Sequence, residues 1–225
     1  MLTDLIKIGF PKNCLSCSNA LVQNENFICS SCYFYLPKGE LAIGTNTDSG
    51  KLFEKNDSFF GAGHLFDFDK EGKTQHLLHE LKYNSNLPFG EYLGTLLGSE
   101  FHGLLSDIDC LVPVPLHPKK EYQRGFNQSQ LLGKGISSVT SIPLSSNNLV
   151  RTRFTETQTK KNKEERKMNI QNAFEVRSPQ EFENKSLLLL DDVITTGSTL
   201  MECMKVLSSI EGIQIKALLL AKAVY

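Results

Sequence analysis

Residues 187–200, Leu-Leu-Leu-Leu-Asp-Asp-Val-Ile-Thr-Thr-Gly-Ser-Thr-Leu, restrict the possible folds of this chain more than any other stretch. Four consecutive leucines fit a strand buried on both faces, which is the habit of a parallel sheet covered by helices. Leu200, Met201, Met204 and Leu207 then recur at helical spacing, so the segment predicts strand, tight loop and helix. In that arrangement the backbone N–H groups of residues 195–199 gather at the start of a helix, where open donors and the helix dipole favour an anion such as phosphate. Gly197 permits the tight backbone. Asp191 and Asp192 cannot usefully approach the same anion, so they suit neutral hydroxyls or a hydrated magnesium ion beside it. A sugar phosphate carries both kinds of group.

With 225 residues and 40% hydrophobic content the chain can hold one α/β domain and a small appendage. A net charge of −1 gives no global positive field for nucleic acid, so any such role needs a local patch. The longest apolar runs are too short to span a bilayer. Residues 1–10 carry an acid at Asp4 and read as a short amphipathic helix ended by Pro11, not as a secretory signal, which points to a cytoplasmic protein.

Four of the six cysteines fall as Cys14-x2-Cys17-x11-Cys29-x2-Cys32, the spacing of a tetrahedral zinc site. A metal would replace the core that about 35 residues cannot build alone. Two disulfides are the competing reading, disfavoured in a reducing compartment. Cys110 and Cys203 lie in apolar surroundings and read as small buried hydrophobes. The segmentation is therefore a zinc-binding module over 1–36, a connecting segment over 37–58 and an α/β domain over 59–225.

Within that domain, residues 59–68 read as a strand, and Leu77, Leu78 and Leu81 as one face of a helix on which His76 and His79 are exposed rather than metal ligands. A second helix over 90–105 is expected to pack on the sheet. Cys110-Leu-Val opens a strand that Pro113, Pro115 and Pro118 close, followed by Lys119, Lys120 and Arg124-Gly-Phe-Asn-Gln128, then a helix through Leu131, Leu132, Ile136 and Val139. Residues 142–150 are expected to form another strand, 172–176 a further one, and 215–221 the last. Residues 151–167 hold seven basic residues against three glutamates and almost nothing apolar; they read as a solvated surface loop or as a basic flap over a polyanion.

The stretch 187–200 closely resembles the phosphoribosyl-pyrophosphate motif of type I phosphoribosyltransferases. Taken with the four-cysteine module, Val114-Pro-Leu followed by Arg124-Gly-Phe-Asn-Gln128, and Arg151, Gln158, Arg166, Asn169 and Ala173-Phe174, the chain resembles the ComF family of competence-associated proteins, also called ComFC or GntX-like. The resemblance implies a phosphoribosyltransferase fold, a mainly parallel sheet flanked by helices, behind a zinc module held by Cys14, Cys17, Cys29 and Cys32. It implies that Asp191 and Asp192 bind the ribose hydroxyls, directly or with Mg2+, and that Thr195, Thr196, Gly197, Ser198 and Thr199 hold the 5′-phosphate. The loop around Pro115, with Lys119, Lys120 or Arg124, would receive pyrophosphate, and 151–167 would close over the site. The implied activity is transfer of phosphoribose to an unidentified acceptor, in the setting of natural competence and DNA uptake. The second reading is a non-catalytic competence factor that senses phosphoribosyl pyrophosphate or binds single-stranded DNA, with the basic stretch 151–167 and Arg124 beside Phe126 as its cations and stacking surface and proteins of the competence machinery as its partners.

Overall fold

The computed structural model describes residues 12–53, 56–68, 72–84, 86–154 and 172–224. The helix expected over 1–10, most of the turn expected over 69–72 and the basic stretch from residue 155 onward lie outside them.

Four strands, β1 (Phe59–Phe68), β2 (Cys110–Pro113), β5 (Ser186–Ile194) and β6 (Gln214–Ala223), form a parallel sheet in the order β1-β6-β5-β2. A two-stranded antiparallel pair, β3 (Leu149–Arg151) with β4 (Phe174–Val176), stands apart from it. Among the described residues the α-helices are α1 (Ser30–Tyr35), α2 (Lys73–Tyr83), α3 (Leu87–Phe101), α4 (Pro118–Arg124), α5 (Gln128–Thr140) and α6 (Ser198–Leu207).

The leucine run explains the layering. Leu188 and Leu190 belong to the core beneath α2, α3 and α5, with Leu81, Leu93, Leu97, Leu132 and Ile136. Leu187 and Leu189 belong to the core beneath α6, with Leu200, Cys203, Met204 and Leu207. Because strand side chains alternate, an unbroken apolar run feeds both faces, and each fully buried leucine contributes roughly 1.5–3 kcal/mol. The parallel strands all end on one edge, which puts the loops after β2 and β5, neighbours in the sheet, side by side.

Helix α3 meets α5 at backbone distance. A Cβ on Gly94 would stand 2.2 Å from the Leu132 carbonyl oxygen, and one on Gly135 2.0 Å from that of Glu91. Only hydrogen fits at either position, so the crossing depends on these glycines as much as on the leucines beside them. Helix α3 starts at Leu87, where the Asn86 side chain accepts the Phe89 N–H and Pro88 occupies the first turn.

The cysteine module is seated on α3. Phe27 stacks against Phe89 and Tyr92, at 5.5 and 5.3 Å between ring centroids, and Cys14, Ile28, Cys32 and Leu36 join the core of the α/β domain. Residues 37–53 then run along the outer edge of β1. Lys38 bridges Phe66 and Gly44 bridges Ala62, both antiparallel, while the Thr47 hydroxyl donates to the Ala62 carbonyl at 2.6 Å. This segment covers the exposed edge that β1 would otherwise present. The buried Ser49 of this segment pairs with the buried His64 of β1 at 2.8 Å between Oγ and Nδ1, and His64 Nε2 lies 3.0 Å from Asp67 Oδ1.

The strand expected over 142–150 does not form as one element. Leu144 makes a single parallel bridge to Leu111, and only Leu149–Arg151 is strand, paired with β4. Between them Asn148 is committed elsewhere: its Nδ2 donates to the Ser178 carbonyl and its Oδ1 accepts the Ser178 N–H. The polar run thus redirects the chain from the sheet edge to the separate pair.

Candidate functional site

The acids close β5 at the common edge. Asp192 is 4% exposed and Asp191 half-buried. Asp192 Oδ2 accepts a hydrogen bond from Gln128 Nε2 at 3.0 Å and forms an ion pair with Lys82 Nζ at 3.1 Å. Asp191 Oδ1 accepts two hydrogen bonds, from the Ser129 hydroxyl at 3.1 Å and the Asp192 N–H at 2.9 Å. Burial, and then the neighbouring charge of Asp192, lift the Asp191 carboxyl to about 7, against the pull of the Asp192 N–H, Lys82 and Ser129.

Past the acids, Gly197 takes φ +72° and caps α6, which begins at Ser198. That left-handed conformation, and the Phe53 ring 3.1 Å from where a Cβ would stand, explain the glycine. With no side chain at the cap, the first-turn N–H groups of α6 have no side-chain acceptor at Gly197. Thr196 Oγ1 and Ser198 Oγ lie 2.9 Å apart, so the two hydroxyls line the same turn; Thr195 is exposed and Thr199 half-buried. The five positions singled out in the sequence form one strand-to-helix turn.

The proline loop after β2 sits beside this turn, with Pro115 buried. Asn127 fixes it: its Nδ2 donates to the Val114 carbonyl at 3.0 Å, and its Oδ1 caps α5 through the Ser129 N–H. Lys119, Lys120 and Arg124 fall on α4, an element the sequence reading did not anticipate. Lys119 is exposed, with Nζ 5.3 Å from the Phe154 ring centroid, while Lys120 and Arg124 are half-buried. Arg124 donates to Gln128 Oε1 at 2.5 Å and lies over the Tyr83 ring, which links it to the residue that holds Asp192. A cleft of about 390 Å³ opens between this loop and β3, lined in part by Pro115, His117, Asn127, Arg151 and Arg177. Burial lowers the proton affinity of the Arg151 guanidinium, and Cys203 and Asp191 oppose that effect, so Arg151 lies within electrostatic reach of Asp191.

Lys82, Gln128 and Ser129 were not among the site residues read from sequence. Gln128 ends the Arg-Gly-Phe-Asn-Gln motif and could have been found there; Lys82 carries no local signal, because only the α2 packing brings it to β5. Phe126 is buried at 8% exposure, so it offers no stacking surface for a single strand, whereas Phe154 is 37% exposed.

In the N-terminal module Cys14, Cys17, Cys29 and Cys32 bring their sulfurs within 4.8 Å of one another. Tetrahedral zinc–thiolate bonds of about 2.3 Å imply similar separations, so the four could hold a structural metal such as zinc. The knuckles are preformed: Cys14 Sγ accepts the Ser16 and Cys29 N–H groups at 3.4 and 3.3 Å, and Cys29 Sγ accepts that of Cys32 at 3.4 Å. Burial pushes the Cys14 thiol up, but these N–H groups outweigh it and bring it down to about 7. All six cysteines are free; Cys110 and Cys203 are buried among apolar side chains, and His76 and His79 are exposed. No described helix is long and apolar enough to cross a membrane.

No family model matches the chain. It is 38% identical over 116 residues to Competence protein F of Haemophilus influenzae, covering 51% of each chain. It is 35% identical over 136 residues to the DNA utilization protein YhgH of Escherichia coli, covering 58% of this chain and 59% of that one. Competence protein ComFC of Bacillus subtilis is 37% identical over 90 residues, 40% of this chain and 34% of its own. The chain thus spans between a third and three fifths of the length of these relatives. Among solved structures, a purine phosphoribosyltransferase from Pyrococcus horikoshii is similar over 58% of this chain and 70% of its own, at 16% identity and a TM-score of 0.32.

Proposed function

We propose that this relative of the ComF competence proteins binds phosphoribosyl pyrophosphate at the edge of its parallel sheet and transfers the phosphoribosyl group to a nitrogen acceptor. One juxtaposition carries the reading: two acids near the end of β5, a helix start with no side-chain cap at Ser198, and a cation-flanked loop on the neighbouring strand. Ribose hydroxyls are donors and match the remaining carboxylate oxygens of Asp191 and Asp192. The 5′-phosphate matches the N–H groups and hydroxyls of Thr195, Thr196, Gly197, Ser198 and Thr199. Pyrophosphate matches the loop at Pro115 with Lys119, Lys120 and Arg124, and Arg151 extends that charge toward the acids. Magnesium, carried by the pyrophosphate, would offset the charge of the leaving group.

In the transfer the bond from the anomeric carbon to pyrophosphate oxygen breaks, and pyrophosphate leaves with the electron pair. The acceptor nitrogen forms the new bond and gives up a proton. A cationic sugar-like transition state needs positioning and charge balance more than a covalent nucleophile, and the buried acids supply negative charge beside the ring. Pyrophosphate release on mixing the donor with pooled purine and pyrimidine bases tests the transfer step. Donor binding with no release from any acceptor would reduce the role to sensing. In either case the cellular setting we propose is DNA uptake in natural competence, with zinc holding the N-terminal module, in the cytoplasm.

Asp191 gives the reading a pH signature. Its folded carboxyl lies near 7, so it is mostly neutral at pH 6 and mostly ionised at pH 8. Since the ionised form is the better acceptor for two hydroxyls, donor affinity should rise roughly tenfold across that range. The donor's own phosphates also titrate there, so the test compares the wild type with Asp191→Asn, which should show a shallower rise. Equal slopes in the two proteins would remove Asp191 from the ribose site.

A further inference from the structure

The acid pair, read as the ribose site, poses a problem of charge. Two adjacent carboxylates at a sheet edge, one of them 4% exposed, repel each other and lose hydration, and a divalent cation is the obvious remedy. Here the place of such an ion is already taken. Lys82, in the last turn of α2, has a side chain 23% exposed, and its Nζ lies 3.1 Å from Asp192 Oδ2. Leu77, Leu78 and Leu81 bury one face of α2 in the core, which fixes the rotation of the helix, and Lys82, one turn beyond Leu78 at the border of that face, is thereby carried to β5. Gln128 donates to the same oxygen at 3.0 Å, so Oδ2 already faces an ammonium and an amide. Asp191 Oδ1 already accepts from Ser129 and the Asp192 N–H.

We propose that Lys82 is the resident counter-ion of the ribose-binding acids, so that Asp191 and Asp192 take the sugar diol directly and not through a metal ion. This rests on the ribose reading given above. Magnesium prefers octahedral oxygen ligands at about 2.0–2.1 Å and keeps much of its water. Coordination by Asp192 Oδ2 would set it against an ammonium on the same oxygen. One outer oxygen on each acid, Asp191 Oδ2 and Asp192 Oδ1, receives no hydrogen bond from the described residues. Two acceptors for two hydroxyls is the stoichiometry of a diol. Magnesium would then enter only with the pyrophosphate, and Lys82 acts as a positioning residue that keeps the acids close without closing them to the sugar.

The test uses zinc-loaded protein without donor, titrated with Mn2+ while the free ion is followed by electron paramagnetic resonance. Manganese favours oxygen ligands and leaves thiolates to zinc. Wild type and Lys82→Arg should show no Mn2+ binding that Asp192→Asn abolishes. Lys82→Met keeps the apolar stem but removes the cation, and should gain a Mn2+ site at least about tenfold tighter than the weakest binding the titration detects. The gain should vanish in Lys82→Met with Asp192→Asn, and Lys82→Gln should repeat it should the methionine variant fold poorly. Mn2+ bound by the wild-type acids, or no gain in either Lys82 variant, would overturn the proposal. Because no donor is present, failure here is distinct from failure of the ribose reading, which donor titration decides.

Discussion

Cys32→Ser is expected to empty the metal site and to unfold the N-terminal module from the face of α3. The four sulfurs lie within 4.8 Å of one another, and Cys14 and Cys32 are 2% and 3% exposed, inside the core they share with Leu36, Phe66 and Phe89. Leu15, Leu21, Phe27, Ile28, Tyr33 and Leu36 of that segment pack onto the α/β core and form no separate core of their own. Structural zinc contributes about 10–16 kcal/mol to folding in small zinc modules, against a whole-domain margin of about 5–15 kcal/mol. Even a third of that contribution would dominate the behaviour of the module. Metal analysis should find about one zinc per chain in the wild type and in Cys110→Ser, whose thiol lies outside the cluster, and far less in Cys32→Ser. Hydrogen exchange should show lost protection over residues 12–36 and at the Phe89 and Tyr92 turns of α3. A Cys32→Ser protein with full metal content and unchanged exchange would refute a structural site.

What could be read from the residues alone follows the range of the forces involved. The alternation of Leu187 to Leu190 between two cores, the helix after Gly197 and the thiolate spacing are local patterns, and the structure realises each of them. The contact of Lys82 with Asp192 joins residues 110 positions apart in the chain, and no periodicity on α2 marks it. The approach of Gly94 to Leu132 is of the same kind: glycines inside a helix read as weak helix formers until the partner backbone is in place. Residues 142–150 misled because β-favouring Ile142 and Leu149 flank a run whose polar side chains have distant partners, above all Asn148 with Ser178. Helix α4 was hidden by Pro113, Pro115 and Pro118, the last of which starts the helix under the His117 cap. The segment 37–58 reads as a connection from its Gly, Asn, Asp, Ser and Lys content, yet Gly39, Gly44, Thr47 and Ser49 within it hydrogen-bond along β1.

The largest functional effect belongs to the acids. Asp191→Asn with Asp192→Asn preserves the shape of the pair and removes both charges. It also leaves Lys82 beside amides in a mostly buried position, where the carboxylate that matched it is gone. Each carboxylate–hydroxyl hydrogen bond is charge-assisted and contributes about 1.5–3 kcal/mol, so losing two costs roughly 3–6 kcal/mol, or between a hundredfold and ten-thousandfold in affinity. The metal content should not change, because the cysteine cluster belongs to a different part of the fold. The most direct measurement is isothermal titration of phosphoribosyl pyrophosphate with magnesium into the wild type and this double variant, with zinc determined on both samples. Saturable one-to-one binding in the wild type, no detectable binding in the variant and equal zinc in both is the predicted result; binding of equal affinity in the two proteins, or none in the wild type, would contradict a phosphoribosyl-pyrophosphate site at this sheet edge.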